Sequence, residues 1–250
     1  MSGVITLYKN AGLTLDLSDQ SWAQSILLPT ISVPLSGSIT SDPVAGYGLN
    51  NGTTTMQDVY LQPIASTGLN GTSFVSNLQI APDVTGSPGS YSSLGSSVLI
   101  VNGEFPPCSS EPNVNTTSPS VTNPASAPTL SAVSGSTNLG AGTYKVAFSY
   151  KNAGGETLVS PTSSISITAG QKIRIEPISL TTNATGINYY LTPVAGRDEL
   201  YLADTNVGAS TTDLSSVLGY FKFWVRQQVS YSDPTGVYQA QIAVNATDIG

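Results

Sequence analysis

Histidine is absent from all 250 residues. Without it the Ser-His-Asp and Cys-His arrangements cannot be built, and neither can the commonest zinc sites. The single cysteine, Cys108, stands in Pro106-Pro107-Cys108-Ser109-Ser110, with no second cysteine to pair with and no histidine base to activate it; it reads as incidental. Ser-Lys catalysis survives formally through Lys145, Lys151 and Lys172. Each of these lies on the polar face of an alternating strand pattern, where a lysine is solvated. The acidic pairs closest in sequence are Asp16/Asp19 and Asp198/Glu199. Glycoside hydrolysis needs two carboxyls facing one cleft, whereas Gly196-Arg197-Asp198-Glu199 reads as a solvated turn. Asp16 and Asp19 offer oxygen ligands to calcium but lack EF-hand spacing. The glycine-rich run 135–142 lacks the Gly-Lys-Ser/Thr ending of a phosphate loop and reads as turns. The expectation is a non-enzyme with no catalytic, cofactor or metal site.

Binding chemistry is better represented. Trp22, Trp224 and twelve tyrosines could line a sugar-binding surface, since sugar faces stack on aromatic rings. Core packing is the stronger reading for Trp224, whose neighbours alternate; Trp22, among polar residues, fits either role. Asn51, Asn70, Asn115, Asn183 and Asn245 each precede Thr by two residues, but glycosylation at them needs secretion. Met1-Ser2-Gly3-Val4-Ile5-Thr6 shows no signal-peptide pattern, so synthesis inside a cell without general secretion is expected. No apolar run reaches the length of a membrane span.

The elements that must carry these side chains are strands. Only 9% of residues are charged, against about 25% in ordinary globular proteins. Ser, Thr, Asn and Gly take their place, and helical surfaces would need the missing Glu, Lys and Arg. A hydrophobic content of 39% excludes a wholly disordered chain. Eight basic against fifteen acidic residues, net −7, leave no basic stripe for nucleic acid.

Strand-like segments fall near residues 5–8, 13–17, 31–35, 57–62, 76–80 and 97–102, interrupted by several prolines that make them short or irregular. From 106 to 128 the chain is dominated by Ser, Thr, Pro and Asn, with Glu111 its only charge. That composition buries little apolar surface and reads as a linker. Beyond it, Tyr144, Val146, Phe148 and Tyr150 alternate with Lys145, Ala147, Ser149 and Lys151, a period-2 strand. Asn152-Ala153-Gly154-Gly155 turns it into a hairpin, and further strands are placed at 164–168, 172–176, 188–192 and 200–203. Roughly seven short strands with turn-punctuated spacing are the signal of an immunoglobulin-like sandwich. The most aromatic stretch, 221–226, is expected to form a two-strand unit with 237–244 that closes the N-terminal sheet. The fold class is therefore all-β with two β-sandwich domains. Residues 1–105 plus 218–250 form the first, 106–128 the linker and 129–217 the immunoglobulin-like second, inserted in the first; a tandem arrangement is the alternative.

Residues 127–214 resemble a module repeated in bacteriophage tail, baseplate and decoration proteins. The resemblance lies in Ala127-Pro128-Thr129-Leu130-Ser131-Ala132-Val133, Leu139-Gly140-Ala141-Gly142-Thr143-Tyr144, the run 148–157 and Ala184-Thr185-Gly186-Ile187-Asn188-Tyr189-Tyr190-Leu191. It covers about a third of the chain, and related modules occur on bacterial surface proteins. It implies a virion structural protein of decoration, cement, neck, tail or short-fibre type. The implied partners are copies of itself, as a homo-oligomer, and other virion proteins, with no nucleic acid and no membrane. The alternative is an adhesion module for a receptor or host surface glycan. A third reading, a polysaccharide-degrading enzyme, would need two carboxylates converging in a groove.

Overall fold

The computed structural model describes residues 5–8, 28, 30–32, 34–65, 77–84, 86–193, 195–233 and 240–249. Every regular element among them is a strand. In chain order these are β1 (Ile5–Tyr8), β2 (Ser38–Thr40), β3 (Val44–Asn50), β4 (Met56–Ala65), β5 (Leu78–Val84), β6 (Ser87–Pro88) and β7 (Val98–Phe105). Next come β8 (Leu130–Ser134), β9 (Gly142–Asn152), β10 (Gly155–Glu156), β11 (Ser163–Ile167), β12 (Gln171–Ile175), β13 (Gly186–Leu191), β14 (Tyr201–Asn206) and β15 (Thr212–Leu214). The chain ends with β16 (Tyr220–Ser230) and β17 (Ala240–Asp248). Two compact units result: Met1–Pro107 with Phe221–Gly250, and Cys108–Tyr220.

In the first unit, one sheet runs β1-β3-β16-β5-β6, with β2 also on β16, and another runs β17-β4-β7. Period-2 alternation along β16 sends Phe221, Phe223 and Val225 into a core with Leu7, Val59, Leu61, Leu78 and Ile80. Each such side chain contributes on the order of 1.5–3 kcal/mol by leaving water. β3 was not anticipated, because its glycines look like turn punctuation. They are instead what lets the core close. A Cβ at Gly46 would stand 2.2 Å from Phe223 Cζ, and one at Gly48 would stand 2.1 Å from Phe221 Cζ. Only a bare backbone leaves room for those rings.

Two expectations are corrected here. Residues 31, 32, 34 and 35 lie outside any strand; Pro34 has no N–H to give a ladder and the Leu35 side chain is fully exposed. Among the described residues, the stretch 221–226 and residues 240–244 are not partners of each other. β16 pairs with β5 from Phe223↔Pro82 to Gln227↔Leu78, while β17 pairs with β4 from Ala240↔Ala65 to Asp248↔Met56. Proximity in sequence misleads because these ladders are set by long-range partners. The strand expected at 13–17 lies outside the described residues.

The second unit has one sheet ordered β10-β9-β13-β14, with β11 on β9, and another ordered β15-β12-β8. Tyr144, Val146 and Phe148 of β9, Ile187, Tyr189 and Leu191 of β13, and Ile173 and Ile175 of β12 meet in one core. On the opposite face of the first sheet, Ala147, Tyr190 and Leu200 form a smaller cluster. The segment that composition marks as a linker is hydrogen-bonded to this unit. Leu202 N donates to Ser109 O (2.8 Å), Glu111 N to Leu200 O (3.2 Å), and Thr116 N to Glu156 O (2.8 Å). Val121 is 1% exposed. Low apolar content argues only about side-chain burial; backbone groups can still complete a sheet edge.

Candidate functional site

In the first unit, the alternation that buries Phe221, Phe223 and Val225 turns Lys222, Trp224 and Arg226 to the other face of β16. This corrects the core reading of Trp224. Its ring is half-buried and lies beneath the Lys222 ammonium, 4.0 Å from the ring centroid. The indole N–H donates to Asp83 Oδ1 at 2.6 Å, Gly86 N donates to Asp83 Oδ2 at 3.0 Å, and Lys222 Nζ is 3.3 Å from Asp83 Oδ1. The Asp83 side chain is 4% exposed, so its charge is satisfied from several sides.

One strand position pair further along, Arg226 faces Gln79 of β5. Its Nε donates to Gln79 Oε1 at 2.7 Å, and Gln79 Nε2 donates to the Ser92 carbonyl at 3.3 Å. The guanidinium carbon sits 3.7 Å from the centroid of Tyr91. Burial raises the Tyr91 phenol above its ordinary range, and the neighbouring Arg226 charge partly offsets the rise. The face thus presents two cation–aromatic stacks side by side. Chemically it can stack planar groups and donate hydrogen bonds; it holds no nucleophile paired with a base.

The second unit carries two further features. A cavity of about 360 Å³ is lined by Pro124, Pro128, Phe148, Tyr150, Pro177 and Ile178, among others. Phe148 and Tyr150 meet edge to face at 5.5 Å, and the Tyr150 hydroxyl donates to Ser179 O at 3.2 Å. Behind the sheet, Glu156 Oε1 accepts from the Tyr190 hydroxyl at 2.6 Å and from the Ser149 hydroxyl. Tyr190 is 2% exposed, and burial first, then Glu156, hold its phenol well above the usual range.

The sequence-level candidates are dispersed. Lys145 pairs with Asp198, whose side chain is 82% exposed, and Lys151 donates to Thr205. Glu199 is exposed. The Cys108 thiol is pushed up to about 12 by burial. Asp16, Asp19, Trp22 and Asn70 lie outside the described residues. Asn51 donates to Thr6 Oγ1 and Tyr8 OH, Asn115 to Val121 O, and Asn183 to Ser120 O; Asn245 pairs with Tyr60 across β17 and β4. Among the described residues no group of three His, Cys, Asp or Glu side chains is placed to hold a metal. No helix there is long and apolar enough to cross a membrane.

Arg226 was missed by the sequence reading. Its signal was present: two of only eight basic residues flank Trp224 at i−2 and i+2, which is the same-face spacing of a strand. Tyr91 and Gln79 had none, because loop packing and cross-strand register decide their positions. Comparison with protein-family models, with curated proteins and with solved structures finds no match to this chain.

Proposed function

We propose that the protein is a structural component of a bacteriophage particle, of decoration, cement, neck, tail or short-fibre type, acting by protein–protein assembly. In this reading both units are β-sandwiches, the second immunoglobulin-like, with the β9/β13 and β12/β15 side chains as its filling. The resemblance of residues 127–214 to phage modules supports the particle assignment.

The observation that carries assembly is the outward face of the β17-β4-β7 sheet. Tyr60 and Ile64 of β4 are each 38% exposed there. Leu99 lies opposite Tyr60 on one side, and Asn245, Ala243 and Gln241 lie opposite Tyr60, Gln62 and Ile64 on the other. No charge interrupts these positions. Such a face is suited to close against a second copy or a shell surface, because interface centres are depleted in charge and enriched in Tyr. Tyr60→Lys with Ile64→Lys is the test. Both positions are exposed, so the fold should survive while self-association weakens by about tenfold or more. Unchanged association of a folded double variant would rule this face out.

A second reading is adhesion to a receptor or host glycan. The paired cation–aromatic stacks on β16 favour it, since they join planar stacking surfaces to hydrogen-bond donors.

A further inference from the structure

Among the described residues three cations stand in ion pairs. Lys145 has Asp198, Arg174 has Asp213 and Lys222 has Asp83. Arg226 forms no ion pair among the described residues, although it is half-buried in a chain carrying net −7. It is nonetheless held firmly. Gln79 fixes Nε, the Ser92 carbonyl fixes Gln79, and the Tyr91 ring lies against the guanidinium plane. A guanidinium carries five N–H donors in a planar fork. With Nε engaged, the two terminal nitrogens keep their donors and have no protein acceptor among the described residues. Desolvating an arginine partly, orienting it by a hydrogen bond to a fixed amide and by an aromatic ring, and leaving its fork unfilled is how a carboxylate receptor is preorganised.

We propose that Arg226 recognises the carboxylate of an acidic saccharide, with Gln79 as its positioning residue. This rests on the adhesion reading and names its ligand class. The surroundings favour a sugar over an acidic protein segment. An amide and an aromatic ring, Gln79 and Tyr91, contact the guanidinium, and Trp224 and Gln228 stand two residues to either side of Arg226 on β16; such groups suit hydroxyls and ring faces. A protein interface would instead centre on apolar contacts excluding water around the ion pair.

The full-length chain would be titrated by calorimetry with oligogalacturonate, with its neutral methyl ester, with a neutral glucan oligosaccharide and with oligoglutamate. The expected result is saturable binding of oligogalacturonate that weakens as salt rises. The methyl ester should bind about tenfold or more weakly. Arg226→Lys keeps the charge and loses the planar fork, so it should cost about tenfold as well. Gln79→Ala should weaken binding without removing the charge, and thermal melts confirm that both variants fold. Equal binding of the ester, or full affinity in Arg226→Lys, would overturn the proposal while leaving adhesion standing. Binding of neutral glucan alone would do the same. Preference for oligoglutamate would overturn it in favour of an acidic protein partner, and no binding to any saccharide would overturn both the proposal and the adhesion reading it rests on.

Discussion

Gly46 of β3 lies against the ring of Phe223 of β16, so close that a Cβ on Gly46 would stand 2.2 Å from Phe223 Cζ. Phe223 is fully buried, so the ring has nowhere to retreat without moving the core. Gly46→Ala should therefore destabilise the first unit by about 1–3 kcal/mol, the usual cost of overpacking. Gly48→Ala, aimed at Phe221, should behave alike. Urea melts followed by tryptophan fluorescence check this; an unchanged midpoint would mean that β3 and β16 are not packed this way.

The second unit should weaken in alkali. The Tyr190 phenol is raised by burial, then by its hydrogen bond to Glu156 and the charge there. The fold thus retains a proton that the unfolded chain gives up near pH ~10. This stabilisation is complete below that value and is lost as pH rises through and beyond it. Tyr190→Phe should reduce the loss between pH 9 and 11 without abolishing it, because Tyr150 in the same unit is raised too. At neutral pH the same change removes a donor to Glu156 and should cost about 1–3 kcal/mol. Parallel stability-versus-pH curves for the two proteins would contradict the assignment.

Cys108 should be nearly inert in the folded protein. Burial pushes its thiol up to about 12, so little of the reactive thiolate exists at pH 8. A disulfide reagent should modify it slowly in buffer and rapidly in denaturant. Equal rates would show that the segment around it is not docked.

That segment's docking has its own test. Asn152 Nδ2 donates to Pro119 O at 2.8 Å, while its Oδ1 accepts from Ser118 N at 3.2 Å and Gly154 N at 2.9 Å. Asn152→Ala removes the clasp. Proteolysis within residues 109–123 should speed up several-fold at an otherwise small change in melting temperature, as expected for a local opening. If cleavage rates match wild type, the clasp contributes nothing.

These cases show what the sequence made legible. The all-β class followed from scarce charge and from alternation as plain as Tyr144-Val146-Phe148-Tyr150 against Lys145-Ala147-Ser149-Lys151. β1 and β9 could be read for that reason. β3 could not, because Gly46 and Gly48 serve a ring in a strand more than 170 residues away in sequence. The run after Cys108 looked like a linker because its contribution is made by backbone N–H and C=O groups, which composition does not record. At the candidate site, the Lys222-Trp224-Arg226 spacing was legible. The partners that give it meaning, Asp83, Gln79 and Tyr91, are set by the β5–β16 register and a loop, and neither leaves a pattern in sequence.

Self-assembly is read from the molar mass of the purified chain, by size exclusion with light scattering. One discrete oligomer at a whole-number multiple of 25.8 kDa is expected, shifted toward monomer by Tyr60→Lys with Ile64→Lys. A wild-type chain that stays monomeric across the accessible concentration range would contradict it.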